Sequence, residues 1–310
     1  MKILVTGAAG QVGSHVVDSA IARGDEVIGI DNFETGRPEH VTKHKTYRFI
    51  QGSIADTDLV EITFDEFNPD VVVHTAAAYK DPDDWVTDVQ TNTLGMVNLV
   101  NAAKAAAVSR FIYFQTALIY GVKPLENPVT LQHPRRVDNS SYSISKGAAE
   151  DYLVLSGLDY VTFRLANVVG PRNVSGPLPI FFQRLSEGKK CFVTPARRDF
   201  VFVGDLVKAV VRAADGVGSG AYHFSSGGDV AIIELYKEVV KAMGIKDFPE
   251  PELRELTPDD APSILLDPSR TFADFGPIEF TALETTVWNA VKYYQEFGVS
   301  GGYTHLKSNK

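Results

Sequence analysis

The chain has 310 residues, of which 44% are apolar and 22% are charged. These fractions are typical of globular proteins and exclude the disordered, collagenous and disulfide-rich classes. Thirty lysines and arginines against 39 aspartates and glutamates give a formal charge of −9. An acidic protein repels nucleic acid and anionic membrane surfaces, so neither is a predicted partner.

The chain contains one cysteine, Cys191, which cannot form an intramolecular disulfide and has no thiolate partner for a metal. His40 and His44 have no third ligand nearby, so no metal site is predicted. No apolar run reaches the roughly 18 residues that a membrane span needs. Residues 1–5 meet a glycine turn too soon for a signal peptide, and we therefore expect a cytoplasmic protein.

Short β-branched runs alternate with helical stretches along the first half of the chain, which is typical of a parallel sheet covered on both faces. The predicted strands are residues 2–6, 26–30, 47–51, 71–74, 110–115 and 159–164. Helical periodicity predicts helices over 11–23, 56–65, 86–108, 141–156, 181–187, 205–213, 232–243 and 283–297. These elements predict an α/β fold on a doubly wound parallel sheet.

Glycine and proline crowd together after Asn167, which indicates a second, smaller C-terminal region. We expect a dinucleotide-binding domain over residues 1–166, with a returning segment at about 199–226. Residues 167–198 and 227–310 would form a smaller substrate-binding domain.

A glycine-rich turn follows the first predicted strand and opens the first predicted helix. Gly7, Gly10 and Gly13 permit a tight turn and let a pyrophosphate approach the helix N-terminus. The second strand leads to Asp31, whose carboxylate would accept hydrogen bonds from the adenine ribose and repel the additional phosphate of NADP. These residues predict a dinucleotide site that prefers NAD.

Tyr142 and Lys146 lie four residues apart in a predicted helix, so their side chains share one face. A neighbouring ammonium and a positively charged nicotinamide both favour the phenolate of a tyrosine, which makes the pair a usable general base. The same spacing also occurs in solvent-exposed helix pairs, so the spacing alone leaves that alternative open.

The glycines are spaced three and three, and Thr116 follows the fifth predicted strand, upstream of Tyr142 and Lys146. In these features the chain resembles the extended short-chain dehydrogenase/reductase superfamily and its NAD-dependent epimerase/dehydratase family. The resemblance implies that Thr116, Tyr142 and Lys146 are catalytic. It also implies NAD contacts from Gly7, Gly10, Gln11, Val12, Gly13, Asp31, Asn32, Phe33, Gly36, Arg37, Gly52, Ser53, Ile54, Ala76, Ala77, Ala78, Asn92, Tyr142, Lys146, Leu165, Asn167 and Val168.

Three residues near this site have particular interpretations. Asn92 matches the helix asparagine with which the family braces its active-site loop. Arg37 is expected either beside the adenosine or as a solvated loop cation. His74 follows a buried strand and is expected to be a core residue rather than a catalytic one.

Residues 164–172 and 198–205 resemble the segments with which nucleotide-sugar epimerases and dehydratases hold their substrate. Asn167 and Arg198 would contact the diphosphate, and Lys80 is either a ligand contact or an exposed side chain. Thr257 stands where UDP-galactose 4-epimerases have an arginine, so Arg198 would carry more of the phosphate binding, with Arg172 or Arg197 as substitutes. The implied substrate contacts are Lys80, Thr116, Ala117, Tyr142, Asn167, Leu178, Cys191, Phe192, Arg198 and Asp260.

The two residues after Thr116 bear on the type of reaction. Family 4,6-dehydratases carry an Asp-Glu pair there and UDP-glucuronate decarboxylases carry a glutamate, whereas this chain has Ala117 and Leu118. Neither side chain can exchange a proton, so the resemblance favours a 4-epimerase of a UDP-sugar or UDP-uronate that works through a transient 4-keto intermediate. A decarboxylase with its acid elsewhere, a 4-ketosugar reductase and a non-catalytic NAD-binding regulatory protein stay open.

Residues 76–85 resemble a subgroup of epimerases from bacterial surface-polysaccharide pathways. The resemblance also implies a homodimer, in which the helices predicted at 86–108 and 141–156 pair with their copies as a four-helix bundle. A small-residue surface for this contact would come from Ala102, Ala103, Ala105 and Ala106. The alternative is that these alanines pack on the sheet of their own chain.

Overall fold

The computed structural model describes residues 1–137, 140–257 and 260–299. Its strands, in chain order, are β1 (Lys2–Thr6), β2 (Glu26–Asp31), β3 (Tyr47–Gln51), β4 (Val71–His74), β5 (Arg110–Thr116), β6 (Tyr160–Leu165), β7 (Asn167–Val169), β8 (Phe192–Val193), β9 (Arg197–Arg198), β10 (Phe200–Phe202), β11 (Gly220–Phe224), β12 (Val230–Ala231) and β13 (Glu252–Leu253). Seven of them form one parallel sheet in the order β11-β6-β5-β4-β1-β2-β3.

Helices flank this sheet and also occur in the smaller C-terminal region. They are α1 (Gln11–Arg23), α2 (Thr57–Phe67), α3 (Trp85–Asp88), a π-helical turn (Val89–Leu94), α4 (Gly95–Ala105), α5 (Ser141–Ser156), α6 (Pro177–Ser186), α7 (Val203–Ala214), α8 (Ile232–Ala242), α9 (Ser269–Phe275) and α10 (Leu283–Phe297). Short 3₁₀ helices span Pro38–His40 and Ala117–Tyr120. None of the helices in the described residues is long and apolar enough to cross a membrane.

Two apolar layers cover the two faces of the sheet. One layer includes Val16 of α1 and Leu206 of α7, packed against strand residues such as Val5. The other includes Leu99 of α4 and Leu153 of α5 on the opposite face. Since both faces are buried, the strands read as continuous apolar runs, and the predicted doubly wound α/β sheet is confirmed.

A smaller apolar cluster joins α6, α8 and α10, with Phe181, Tyr236 and Tyr294 among its buried rings. Strand β11 instead returns to the edge of the central sheet, beside β6. On this basis we propose the division expected above, with residues 1–166 and about 199–226 in one domain and 167–198 and 227–310 in the other.

The helix predicted over residues 86–108 is interrupted. The structure divides this stretch into α3, the π-helical turn and α4, and no glycine or proline occurs within residues 86–94 to signal the change. Ala102 and Ala103 are buried against the chain's own sheet, so these two alanines do not offer a surface to a partner. The sequence pattern also did not predict strand β11. Gly218 precedes this strand and Gly220 begins it, and two glycines so close together are typical of a loop.

Candidate functional site

A cavity of about 530 Å³ opens at the carboxyl ends of the central strands. It lies where β1 and β4 are neighbours and the strand order reverses, which is the usual ligand position in an open α/β sheet. The predicted NAD residues that line it are Gly7, Gly10, Gln11, Val12, Asp31, Asn32, Gly52, Ser53, Ile54, Ala76, Ala77, Ala78, Tyr142, Lys146, Leu165 and Val168.

The glycine turn at the base of this cavity leaves no room for side chains. A Cβ on Gly7 would lie 2.6 Å from the backbone N of Ala76, and one on Gly13 would lie 2.1 Å from the carbonyl O of Gly7. Gly7 also has a φ of 69°, which disfavours other residues. The glycines therefore let β1, α1 and the end of β4 approach closely.

The N-terminus of α1 provides hydrogen-bond donors to the cavity. Its cap residue Gly10 has no side chain, so the first amides of α1 receive no side-chain cap. The buried Nε2 of Gln11 has no hydrogen-bond partner among the described residues, and Gln11 lines the cavity. This set of donors, next to a backbone without side chains, fits a dinucleotide pyrophosphate.

Asp31 is held in place by backbone groups. Its Oδ2 accepts a hydrogen bond from Ala9 N at 3.0 Å, and its Oδ1 accepts one from Phe33 N at 2.7 Å. Burial raises the pKa of Asp31, although these hydrogen bonds act to lower it. Gly36 must lack a side chain here, because a Cβ would lie 2.7 Å from Asp31 Oδ1. The carboxylate keeps further lone pairs for two ribose hydroxyls.

Thr116, Tyr142 and Lys146 all line the same cavity. Thr116 ends β5, and its Oγ1 accepts a hydrogen bond from Leu118 N at 3.2 Å. Ser140 caps α5 by accepting from Ser143 N, which places Tyr142 in the first helical turn and Lys146 in the second. The buried Lys146 Nζ lies 4.1 Å from the centre of the Tyr113 ring.

Burial dominates the protonation of this pair in the protein alone. It lowers the pKa of Lys146 to about 7, against the opposing charge of Glu150. It raises the pKa of Tyr142, with smaller contributions from Tyr79 and Asp88. A cation bound in the cavity would favour the phenolate form of Tyr142.

Asn92 supports the cavity wall without lining it. Its Oδ1 accepts from Ala78 N at 2.8 Å, and its Nδ2 donates to Ala78 O at 3.1 Å and to Ser145 Oγ at 3.0 Å.

His74 lies in the core, where its Nδ1 and Thr6 Oγ1 are 2.7 Å apart. Burial lowers the pKa of His74 well below its usual value. The other predicted NAD residues outside the cavity lining are Gly13, Phe33, Gly36, Arg37 and Asn167.

Most of the predicted substrate residues lie outside this cavity, in or beside the smaller region. Arg198 Nη1 donates to Ala261 O at 2.7 Å, and desolvation lowers the pKa of Arg198. Asp260 Oδ2 accepts from Thr257 N at 2.7 Å and from Thr257 Oγ1 at 2.9 Å. These hydrogen bonds hold Asp260 against Thr257, and Pro258 and Asp259 lie outside the described residues.

The remaining predicted substrate residues differ in exposure. Leu178 and Cys191 are buried, while Phe192 is partly exposed with the Arg254 guanidinium carbon 4.0 Å from its ring centre. The Cys191 carbonyl already accepts a hydrogen bond from Glu252 N. Ala117 is half-buried in a cluster beside the cavity. Lys80 is exposed and forms an ion pair with Glu34 at 2.8 Å.

Arg172 and Arg197, considered above as substitutes for the arginine that Thr257 replaces, each have an ionic partner. Arg172 pairs with Asp18 of α1 at 2.7 Å, and Arg197 pairs with Asp229 at 2.8 Å. Asn167 Nδ2 donates to Asp199 O at 3.2 Å, within the pairing of β7 and β10. A phosphate would therefore share either arginine with a carboxylate.

Sequence reasoning missed several residues that line the cavity, among them Glu34, Tyr79, Gln90, Thr91, Gln115 and Ser175. Gln115 is the last residue of a predicted strand, and this position is the one signal that could have identified it. The described residues contain no group of three or more His, Cys, Asp or Glu side chains that could hold a metal ion.

Comparison with known proteins gives consistent matches. The family model described as "NAD dependent epimerase/dehydratase family" matches residues 3–224. The Bordetella bronchiseptica enzyme WbmH, crystallised with NAD+, is 67% identical, with 96% of this chain and 99% of that chain covered and a TM-score of 0.95. WbmG of the same organism, crystallised with NAD and UDP, is 38% identical, with 99% of each chain covered and a TM-score of 0.90.

Curated relatives include enzymes with more than one type of reaction. The UDP-glucose 4-epimerase of Mycolicibacterium smegmatis is 34% identical over 269 residues, which cover 81% of this chain and 85% of that protein. UDP-glucuronic acid decarboxylases of Arabidopsis thaliana and dTDP-D-glucose 4,6-dehydratases of Mus musculus and Homo sapiens are also among the relatives.

The packing of Gly13 leads to a binding prediction. Gly13→Ala should weaken dinucleotide binding about 5- to 150-fold, because overpacking the turn costs about 1–3 kcal/mol and displaces the cavity floor. Calorimetric titration with the dinucleotide measures the effect. Gly228→Ala is the matched control, since a Cβ at Gly228 meets no atom within 4 Å. Equal binding by the two variants would contradict the role given to the turn.

Proposed function

The chain belongs to the NAD dependent epimerase/dehydratase family and is an NAD-dependent enzyme, and we propose that it inverts C4 of a UDP-linked sugar. The observation that carries this proposal is the cavity where Thr116, Tyr142 and Lys146 face the glycine turn. The two residues that follow Thr116 are apolar, which favours inversion over elimination.

We assign the two ends of the cofactor to the two ends of the cavity. The amides at the start of α1 and the side chain of Gln11 would hold the pyrophosphate, and Asp31 would hold the adenine ribose. Tyr142 and Lys146 would lie at the nicotinamide end. When bound, NAD supplies the acceptor for a hydride from the sugar and gives the same hydride back.

The chain's own residues would manage the proton. Tyr142, as a phenolate, would take the proton of the C4 hydroxyl, and Lys146 would stabilise that phenolate as an ammonium. Thr116 Oγ, fixed at the end of β5, would orient the C4 oxygen by a hydrogen bond. The resulting 4-keto sugar would rotate in the site, and the hydride would then return to the opposite face of C4 while the proton returns to the C4 oxygen.

Ala117 and Leu118 argue against the family's other reactions. A dehydratase or a decarboxylase of the usual arrangement needs a carboxylic acid beside the triad hydroxyl, and these side chains pack in an apolar cluster with Ile119 and Tyr120. A 4-ketosugar reductase would exchange its cofactor at each turnover and would normally use NADPH, which the Asp31 carboxylate disfavours. These reactions remain outcomes of the experiment below.

The substrate nucleotide would lie beyond the catalytic residues, against the smaller region. UDP in the WbmG complex supports a UDP-linked substrate, and the match with WbmH supports NAD as the cofactor. Arg198 and Asn167 would hold the diphosphate, Asp260 a ribose hydroxyl, and Leu178 with Cys191 and Phe192 the base. A hexose, an N-acetylhexosamine or a uronate of bacterial polysaccharide synthesis would fit this class.

Incubation with UDP-hexoses, UDP-N-acetylhexosamines and UDP-uronates, followed by proton NMR, tests the type of reaction. With the correct substrate we expect C4 inversion, retention of a C4 deuterium label in both epimers, and no solvent deuterium at carbon. Release of carbon dioxide would indicate a decarboxylase, and a 4-keto-6-deoxy product a dehydratase. Either result would reject 4-epimerisation.

Removing the phenol of Tyr142 tests the proposed base. Tyr142→Phe should lose at least about 10²-fold in kcat, the scale of general acid–base catalysis, while it keeps its NAD. Turnover assays and the NAD(H) released on denaturation measure the two quantities. Turnover near that of the unaltered enzyme would remove Tyr142 from this role.

We also propose a homodimer built on α3, the π-helical turn and α5. Apolar side chains are exposed there at Trp85, Val86, Val89, Leu94, Ile144, Tyr152 and Leu155. A second copy would bury these side chains in a four-helix arrangement. The buried alanines Ala102 and Ala103 take no part in this surface.

A charge on the apolar face should separate the copies. We expect light scattering to give a dimer for the unaltered chain and a monomer for Val89→Asp, because an interface cannot bury an unpaired carboxylate cheaply. Leu253→Asp, also at an exposed apolar residue but on β13, should leave the dimer intact. A monomer for the unaltered chain at micromolar concentration would refute the dimer.

A further inference from the structure

Gln115 connects the two sides of the proposed catalytic group. This buried side chain directly precedes Thr116 and lines the cavity. Its Nε2 donates to the carbonyl O of Lys146 at 2.8 Å, and its Oε1 accepts from the backbone N of Thr116 at 2.8 Å. The end of β5 and the second turn of α5 are therefore joined by one amide group.

Glu150 lies on the same helix face as Lys146, one turn further along α5. It is 2% exposed, and its Oε1 accepts from Arg164 Nε at 3.2 Å and from Arg164 Nη2 at 3.1 Å. Its Oε2 accepts from Gln115 Nε2 and from Arg135 Nη1, each at 3.5 Å. A carboxylate is buried here at considerable cost, and the proton transfer proposed above does not use it.

We propose that Glu150 is a positioning residue: its carboxylate, which is ion-paired with Arg164, also supplies negative charge one helical turn from Lys146, and Gln115 joins it to both Lys146 and Thr116. This inference rests on the proposed function, because it takes Tyr142 to be the base that Lys146 serves.

The surroundings of Lys146 contain little else that favours an ammonium. Burial removes its hydration, and the opposing charge that acts on its pKa is that of Glu150. Several titratable and charged groups surround Lys146 and Tyr142 or act on Glu150. By element they are Tyr79 in the loop after β4, His74 of β4, Asp88 of α3, Tyr113 of β5, Tyr120 of the 3₁₀ helix, Arg135 in the loop before α5, Tyr160 and Arg164 of β6, and Glu150 of α5 itself.

Two of these groups bear directly on the ammonium. The Tyr113 ring contacts the Lys146 ammonium through its face, which favours the cation. His74 is buried and its pKa is lowered, so it adds no positive charge at neutral pH.

The direction of the effect follows from the coupled titration of Tyr142 and Lys146. Once one proton has left the pair, the useful form is the phenolate with the ammonium, and the other form is the phenol with the amine. A negative charge closer to Lys146 than to Tyr142 favours the useful form. Removing that charge should make Lys146 lose its proton first, so the phenolate should appear only at higher pH.

The test is an ultraviolet titration of the Tyr142 phenolate in NAD-loaded enzyme, taken as the difference from NAD-loaded Tyr142→Phe. In Glu150→Gln, we expect about tenfold less phenolate at a given pH below the midpoint, which corresponds to a rise displaced upward by about one pH unit. Asp151→Asn is the matched control, because this carboxylate lies on the next residue of α5, contacts the same Arg135 and is exposed. Its titration should match that of the unaltered enzyme.

Each outcome bears on one proposal. If Lys146→Met displaces the phenolate titration and Glu150→Gln does not, the inference on Glu150 is overturned and the proposed base pair stands. If Lys146→Met also leaves the titration unchanged, the base pair itself fails. Should Glu150→Gln not fold, Glu150→Gln/Arg164→Gln removes both partners of the buried ion pair and should displace the titration in the same direction. An unchanged titration in that variant would overturn the inference.

Discussion

The close approach of β1, α1 and the end of β4 is the constraint on which the rest of the site depends. Thr75 follows β4, and its Oγ1 donates to Thr6 O at 2.7 Å beside the glycine turn. Any side chain at Gly7 or Gly13 would enter this contact. Because the turn is bare, the amides of α1 face an open cavity, and the ends of the neighbouring strands can reach the same space.

Much of the fold could be predicted because it follows from local patterns. The strands from β1 to β6 have apolar runs between helices with caps, and their predicted bounds agree within a residue at either end. Gly24 ends α1 in a left-handed conformation, as a glycine after a helix usually does. The resemblance to the NAD-dependent epimerase/dehydratase family is also confirmed. Strand β11 escaped prediction because Gly218 and Gly220 at its start are typical of a loop.

In the candidate site, too, the residues that could be predicted are those that a local sequence pattern identifies. The turn glycines, Asp31 and Tyr142 with Lys146 carry short-range signals, so their positions at one cavity could be anticipated. Gln115 carries only its position at a strand end and Glu150 carries no local signal, because the role of a polar residue inside a helix depends on its buried partners. The smaller region adds a further difficulty, since Arg172 and Arg197 are each paired with a carboxylate from a distant part of the chain.

The π-helical turn at Val89–Leu94 allows one helix to meet two demands. Asn92 must face the loop at Ala78, while Met96 and Leu99 must face the core beneath the sheet. Each residue of an α-helix turns the chain by about 100°, so regular winding would rotate one of these faces away from its neighbours. The wider π-helical turn changes the direction in which the side chains after it point, so that Asn92 and the core residues Met96 and Leu99 each face their own neighbours. A chain shortened by one residue in this turn could keep either the braced loop or the packed core, but not both.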